Sequence, residues 1–150
     1  MTDDRVRPMD AAAIDEFLGR GGTGVLSLAM DDEPYSIPVS YGYDPGSRDF
    51  YLRLGYTPES EKHAFIRASA PARLVVYERS GETWKSVIAT GSVEVVPEEE
   101  LDREIVTRLR EADLPLVDIW DEAMEDITFE ITRLVCEAIT GRTARGELPL

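Results

Sequence analysis

Residues 24–43, GVLSLAMDDEPYSIPVSYGY, constrain the fold more than any other stretch, because two strand-like runs meet over an acidic turn. Val25, Leu26, Leu28 and Ala29 form a short apolar run. Asp31, Asp32, Glu33 and Pro34 supply the turn, and Tyr35, Ile37 and Val39 then alternate with Ser36, Pro38 and Ser40. This pattern predicts a β-hairpin. Pro38 has no N–H to donate to a ladder, so it belongs at a bulge or on an edge where the sheet opens. Such an opening offers backbone carbonyls and amides to a flat ligand.

The rest of the chain repeats the theme. Residues 8–19 predict a short amphipathic helix capped by Asp10, with Ile14, Phe17 and Leu18 on one face. The turn residues Asp44, Pro45 and Gly46 lead into a third strand at 49–54. Residues 60–68 predict a second helix with Ser60 as its cap. Two more strands follow at 72–78 and 83–96, separated by Arg79, Ser80, Gly81 and Glu82. Pro97 and three glutamates predict the start of a helix reaching about Ala112, with Leu101, Ile105, Val106 and Leu109 as a buried stripe. Residues 114–125 are too apolar for a free loop, and 126–139 alternate as a closing strand before a frayed tail. Six strands in hairpin-like succession make the fold mainly β. They predict a small antiparallel barrel, with an antiparallel sandwich as the competing architecture.

Composition narrows the function. The 150 residues, 43% of them hydrophobic, suffice for one domain with a core, and no run approaches the ~20 apolar residues of a membrane span. The polar, acidic N-terminus lacks a secretion pattern, so the expected location is the cytoplasm. A net charge of −14 repels phosphate backbones and argues against nucleic-acid partners. Only Lys62 and Lys85 are lysines, and this lysine-poor, acid-rich balance resembles proteins of salt-loving microbes. At about 1 M salt a Debye length of ~3 Å would screen the self-repulsion.

Signatures of zinc hydrolases, phosphate-binding glycine loops and serine hydrolase elbows are absent from the sequence. With one cysteine, Cys136, and one histidine, His63, neither a metal cluster nor a catalytic triad is expected, and His63 reads as a surface helix residue. The constellation left is Arg53 on the third strand with Ser60 and Lys62 at the start of the next helix. These are side chains that can address one phosphate. The alternative is that Lys62 simply pairs with Glu59 or Glu61 on the surface.

The ordered set of motifs resembles a family. Pro38-Val39-Ser40-Tyr41, then Phe50-Tyr51-Leu52-Arg53 followed by Ser60-Glu61-Lys62, then Pro71 before Leu74-Val75-Val76-Tyr77, and Ser86-Val87 with Gly91 four residues on are similar to the flavin-binding split barrels related to pyridoxamine 5'-phosphate oxidase. The resemblance covers residues 10–142 and implies a six-stranded antiparallel split β-barrel. It also implies a homodimer with one FMN per subunit at the interface. It implies that Ser60, Lys62 and Arg53 hold the FMN phosphate, and that Val39, Ser40 and Tyr41 line the isoalloxazine chiefly through backbone groups. Trp84, Ser86 and Val87 would approach phosphate or ring from their strand; apart from the resemblance, the apolar character of Ile119 and Trp120 suits them to close the pocket, from either chain of the dimer. The short C-terminal segment departs from true pyridoxamine phosphate oxidases. Arg53 stands where nitroimidazole-reducing relatives place a histidine, so both of those activities are unexpected. Deazaflavin or haem remain alternatives to FMN. The expected activity is that of an oxidoreductase drawing electrons from a nicotinamide or small organic donor, its substrate unnamed. The alternative is a flavin carrier, buffer or redox sensor without turnover.

Overall fold

The computed structural model describes residues 6–56, 60–68, 70–103, 106 and 128–146. In chain order the elements are β1 (Val6–Pro8), α1 (Ala11–Gly19), β2 (Gly22–Met30), β3 (Glu33–Asp44), β4 (Asp49–Tyr56), α2 (Glu61–Arg67), β5 (Pro71–Ser80), β6 (Thr83–Val95), a 3₁₀ turn at Glu98–Glu100, and β7 (Thr128–Arg145). No helix among the described residues is long and apolar enough to cross a membrane.

Local chemistry accounts for most of these elements. The Asp10 carboxylate accepts from the Ala13 N–H at 2.8 Å, capping α1 as its position requires. In the β2–β3 hairpin Met30 pairs with Glu33, so Asp31 and Asp32 alone make the turn, at φ of +51° and +64°. A two-residue turn with both residues left-handed matches the twist of the flanking strands. Pro34 therefore lies in the strand opposite Ala29, and not in the turn.

The strands run in the order β7–β4–β3–β2–β5–β6, and β6 pairs back onto β7, so six antiparallel strands close a barrel while β1 adds to β7 outside the ring. Closure removes the free edges that a sandwich would leave. Leu26, Leu28, Phe50, Leu52, Leu74, Val87, Ala89 and Leu134 fill the interior. The helices plug opposite ends. At one, Ile14, Phe17 and Leu18 of α1 are buried, and the Tyr43 hydroxyl donates to Asp15 at 2.6 Å. At the other, Phe65 of α2 stacks on Tyr35 with ring centroids 5.4 Å apart.

Two expected elements differ. The closing strand does not stop at Ile139 but runs to Arg145, and the short β1 pairs with its end. Gly141 sits inside this strand because the side chains of Met9 and Ile14 come within 3.0 Å of where its Cβ would be, so it is a packing glycine and not a strand terminator. After Pro97 the 3₁₀ turn at Glu98–Glu100 comes first and the predicted helix follows it: among the described residues Arg103 and Val106 are helical, and the Val106 N–H donates to the Asp102 carbonyl at 3.2 Å. Leu101 packs against Tyr51 and Val96 as expected, whereas Val106 is 36% exposed and lies outside the buried stripe. Residues 104, 105 and 107–112 of the predicted 97–112 helix, and all of 114–125, lie outside the described residues.

Two interior phenols give the barrel a pH dependence. Burial first, and then the charge of Glu78 against that of Arg20, pushes Tyr41 up to about 12 from the ordinary 10.0. Burial and the hydrogen bond to Asp15 raise Tyr43 as well. Both groups hold their proton more tightly folded than unfolded. The stability this contributes is whole below pH 10.0 and is lost as pH rises through about 12. A spectroscopic tyrosine titration of the folded protein should leave at least two phenols, those of Tyr41 and Tyr43, unionised at pH about 11. Ionisation of all six tyrosines near 10.0 with the fold intact would contradict this.

Candidate functional site

The barrel is split between β3 and β4. These strands pair only from Tyr41↔Leu52 to Asp44↔Asp49. Earlier in β3, residues 33–40 pair with β2 alone, and later in β4, residues 53–56 pair with β7 alone. The two strands thus diverge toward the α2 end of the barrel. Pro38, opposite Val25, stands on the open side as its missing N–H demands.

Several of the residues singled out in the sequence border this opening. Val39 and Tyr41 turn their side chains into the core, where they are 5% and 1% exposed, so only their backbone can face a ligand outside. Ser40 alternates to the outer face and is buried there. Arg53, on the outer face of β4 one residue beyond the last β3–β4 pair, is exposed. Ser60 occupies the N-cap position of α2 in extended conformation, but its side chain makes no cap hydrogen bond, contrary to the expected role. With only seven residues, α2 also develops little dipole, so formal charge and hydroxyl groups must supply any anion affinity at this end. Lys62 follows in the first turn of α2.

The fifth-strand group is placed elsewhere. Trp84, Ser86 and Val87 lie on β6, separated from β3 by β2 and β5 and from β4 by β7. Val87 is fully buried in the barrel interior, while Trp84 faces out and stacks against Tyr77 at 6.3 Å between centroids. Within one chain this group does not meet the β3–β4 opening. Ile119 and Trp120 lie outside the described residues.

The remaining reactive types are accounted for. His63 accepts from Arg67 Nε at 3.1 Å, a helical neighbour contact. The Cys136 thiol donates to the Ala138 carbonyl at 3.4 Å, and burial pushes its pKa up, away from a reactive thiolate. Among the described residues no three His, Cys, Asp or Glu side chains gather to hold a metal ion.

A family model described as pyridoxamine 5'-phosphate oxidase matches residues 10–143. An uncharacterized protein of Rhizobium meliloti (strain 1021) is 27% identical over 93 residues, 61% of this chain, and the chain spans only 58% of that relative's length. The solved structure of a FAD-binding protein from Mesorhizobium loti is 28% identical, with a TM-score of 0.68 over 93% of this chain and 96% of that one. The FAD binding protein of Mycobacterium smegmatis superposes at TM-score 0.66 and 17% identity, covering 94% of this chain and 100% of the other. A FAD and heme binding protein of the same organism gives 0.65 and 14%, over 98% and 77%. At the last two identities the likeness is one of fold. The ring of six strands split between β3 and β4, with the family model matched over residues 10–143, places this chain in the pyridoxamine 5'-phosphate oxidase family of split β-barrels.

Proposed function

We propose that the chain, as one domain over residues 1–150, binds a flavin nucleotide, FMN, at the β3–β4 opening. We further propose that it works as a flavin-dependent oxidoreductase on a small molecule. The observation that carries this reading is the divergence of β3 from β4 beside Arg53 and the start of α2, in a chain of this family. The chemistry present fits such a ligand. Unpaired strand backbone around Pro38 suits the polar edge of a flat ring, and Arg53, Ser60 and Lys62 suit a phosphate. When bound, the flavin supplies electron transfer from a nicotinamide or small organic donor. The backbone of Val39, Ser40 and Tyr41 orients the ring, and the core-packed side chains of Val39 and Tyr41 hold that backbone rigid.

The partner in this reading is a second copy of the chain. Tyr77, Trp84 and Ile88 are 62%, 36% and 41% exposed on the outer face of β5 and β6, a run of large apolar side chains that a dimer would cover. Trp84 and Ser86 reach a flavin only across such a contact, because two strands separate them from β3. Sedimentation should give a dimer that Trp84→Glu dissociates. A wild-type monomer would remove Trp84 and Ser86 from the site, as the interior burial of its side chain already does for Val87. An acid-rich surface of this kind suits a cytoplasm of high salt, with stability rising as salt is added.

The test of the site is flavin affinity. The Lys62→Ala substitution should weaken FMN binding about tenfold or more, since a charge-assisted bond to phosphate is worth ~1.5–3 kcal/mol. Ser60→Ala should weaken it less. Release of the bound molecule and its mass identifies FMN against FAD, and unchanged affinity in both variants removes the phosphate assignment. The absence of an acid or base among Ser36, Pro38, Ser40 and Arg53 favours a second reading, a carrier or redox sensor. A bound flavin that no donor reduces with turnover would select it.

A further inference from the structure

At the α1 end of the barrel the inward-facing rows change character. On β5 Leu74 and Val76 are buried in the core, and Glu78 and Ser80 follow on the same face. On β6 Val87 and Ala89 are buried, and Lys85 and Thr83 precede them on that face. The β5–β6 hairpin therefore runs on past the plug made by α1. Its inner face and Arg20, the C-cap residue of α1, enclose a cleft of about 260 Å³ lined by Arg20, Glu78, Ser80, Thr83 and Lys85.

This lining runs against the charge of the chain. With a net charge of −14 and only two lysines, a random surface cleft would be acidic, yet one of those lysines meets an arginine here. The adjoining ladder adds Arg145 opposite Thr83, and Arg7 opposite Thr143, which is itself opposite Lys85. Among the described residues neither Arg20 nor Lys85 forms an ion pair with a carboxylate, although Glu78 stands opposite Lys85 on β5. The Lys85 ammonium lies instead 5.9 Å from the centroid of the Phe17 ring, an apolar support that leaves its donors for the cleft. The charges of Glu78 and Arg20 also reach the Tyr41 phenol in the core, which ties the cleft to the top of the barrel interior.

We propose that this cleft is a second ligand site that binds a small organic anion through a carboxylate or phosphate group. Lys85 and Arg20 make the charged contacts, and Ser80 and Thr83 donate hydroxyl hydrogen bonds. The volume falls below the ~300–1,000 Å³ of pockets for drug-sized ligands, so the occupant is a small acid or phosphate ester and not a dinucleotide. The site is separate from the β3–β4 opening, which lies toward α2 at the other end of the barrel. Glu78 limits the total negative charge the cleft accepts, and so selects against polyanions.

Inorganic phosphate and succinate, titrated separately into the purified full chain by calorimetry at low salt, test the proposal and distinguish the two anion chemistries. One of them should bind saturably at one per chain. Lys85→Gln and Arg20→Gln should each weaken that binding about tenfold, and Glu78→Gln should tighten it several-fold. Opposite signs at neighbouring positions are not what loss of folding produces. The flavin content of all three variants should match the parent. Absence of saturable binding by both probes, or binding that the three substitutions leave unchanged, overturns the proposal. Loss of flavin in parallel with loss of the anion would merge the two sites and overturn it as well.

Discussion

Gly91→Ala should destabilise the protein by about 3 kcal/mol or more, and at the upper end of that range the chain does not accumulate folded. A Cβ at position 91 would lie 1.9 Å from the Val135 carbonyl oxygen, 2.9 Å from its carbon and 3.2 Å from the Cα of Cys136. All three are backbone atoms, so no side chain can rotate away. The position is a β-bulge. Thr90 pairs with Ala138 and Gly91 with Cys136, which leaves Glu137 as the extra residue of β7. This ladder is also the one that turns an open sheet into a ring. Moving β7 back to admit a methyl group therefore loosens the closure itself. Gly19→Ala is the matched control, because nothing lies within 4 Å of its Cβ position at the end of α1. That change should be neutral or stabilise by ~0.4–1 kcal/mol. Urea unfolding of the pair decides the matter, and a Gly91→Ala protein with the parental midpoint would show that the bulge does not approach β7 as closely as described.

Phe50→Ala should cost ~3–5 kcal/mol, the range for emptying a large aromatic site in a closed core. Phe50 is fully buried and its ring lies 5.7 Å from that of Tyr41 and 5.0 Å from that of Tyr43. It also sits within the short stretch where β3 and β4 still pair, opposite Tyr43. The cavity left by the substitution would open directly under the hinge of the split. Flavin affinity should therefore fall together with stability, although Phe50 faces away from the proposed ring site. The two effects separate in a folded variant: Phe50→Leu keeps most of the volume and should retain flavin. A loss below ~1 kcal/mol in Phe50→Ala would mean that the Tyr41, Phe50 and Tyr43 cluster repacks freely.

The parts of this protein legible in its sequence are those decided within a few residues. Asp10 caps α1 because its carboxylate reaches an amide three residues on. The β2–β3 hairpin follows from alternation across an acidic turn, although Glu33 and Pro34, expected in that turn, pair within the strand, and Pro38 marks an open edge because it has no donor. Ser60 reads as the cap of α2 from its position, but the missing cap bond there depends on side-chain geometry that spacing does not encode. The 83–87 group shows the limit most clearly. Alternation already implied that Val87 and Trp84 face opposite ways, yet only strand order revealed that β6 stands two strands from β3.

Closure of β6 onto β7, the continuation of β7 through Gly141 to Arg145, and the meeting of Arg20 with Lys85 are all tertiary outcomes. Each joins residues dozens of positions apart, and periodicity reports which face a side chain takes without reporting which strand lies beside it. The sequence by itself therefore determined the hairpins, the Asp10 cap of α1 and the inward and outward faces, through backbone sterics and local hydrogen bonds. Only the packed barrel decided which of those faces meet, because long-range pairing is set by how all six strands fill one interior together.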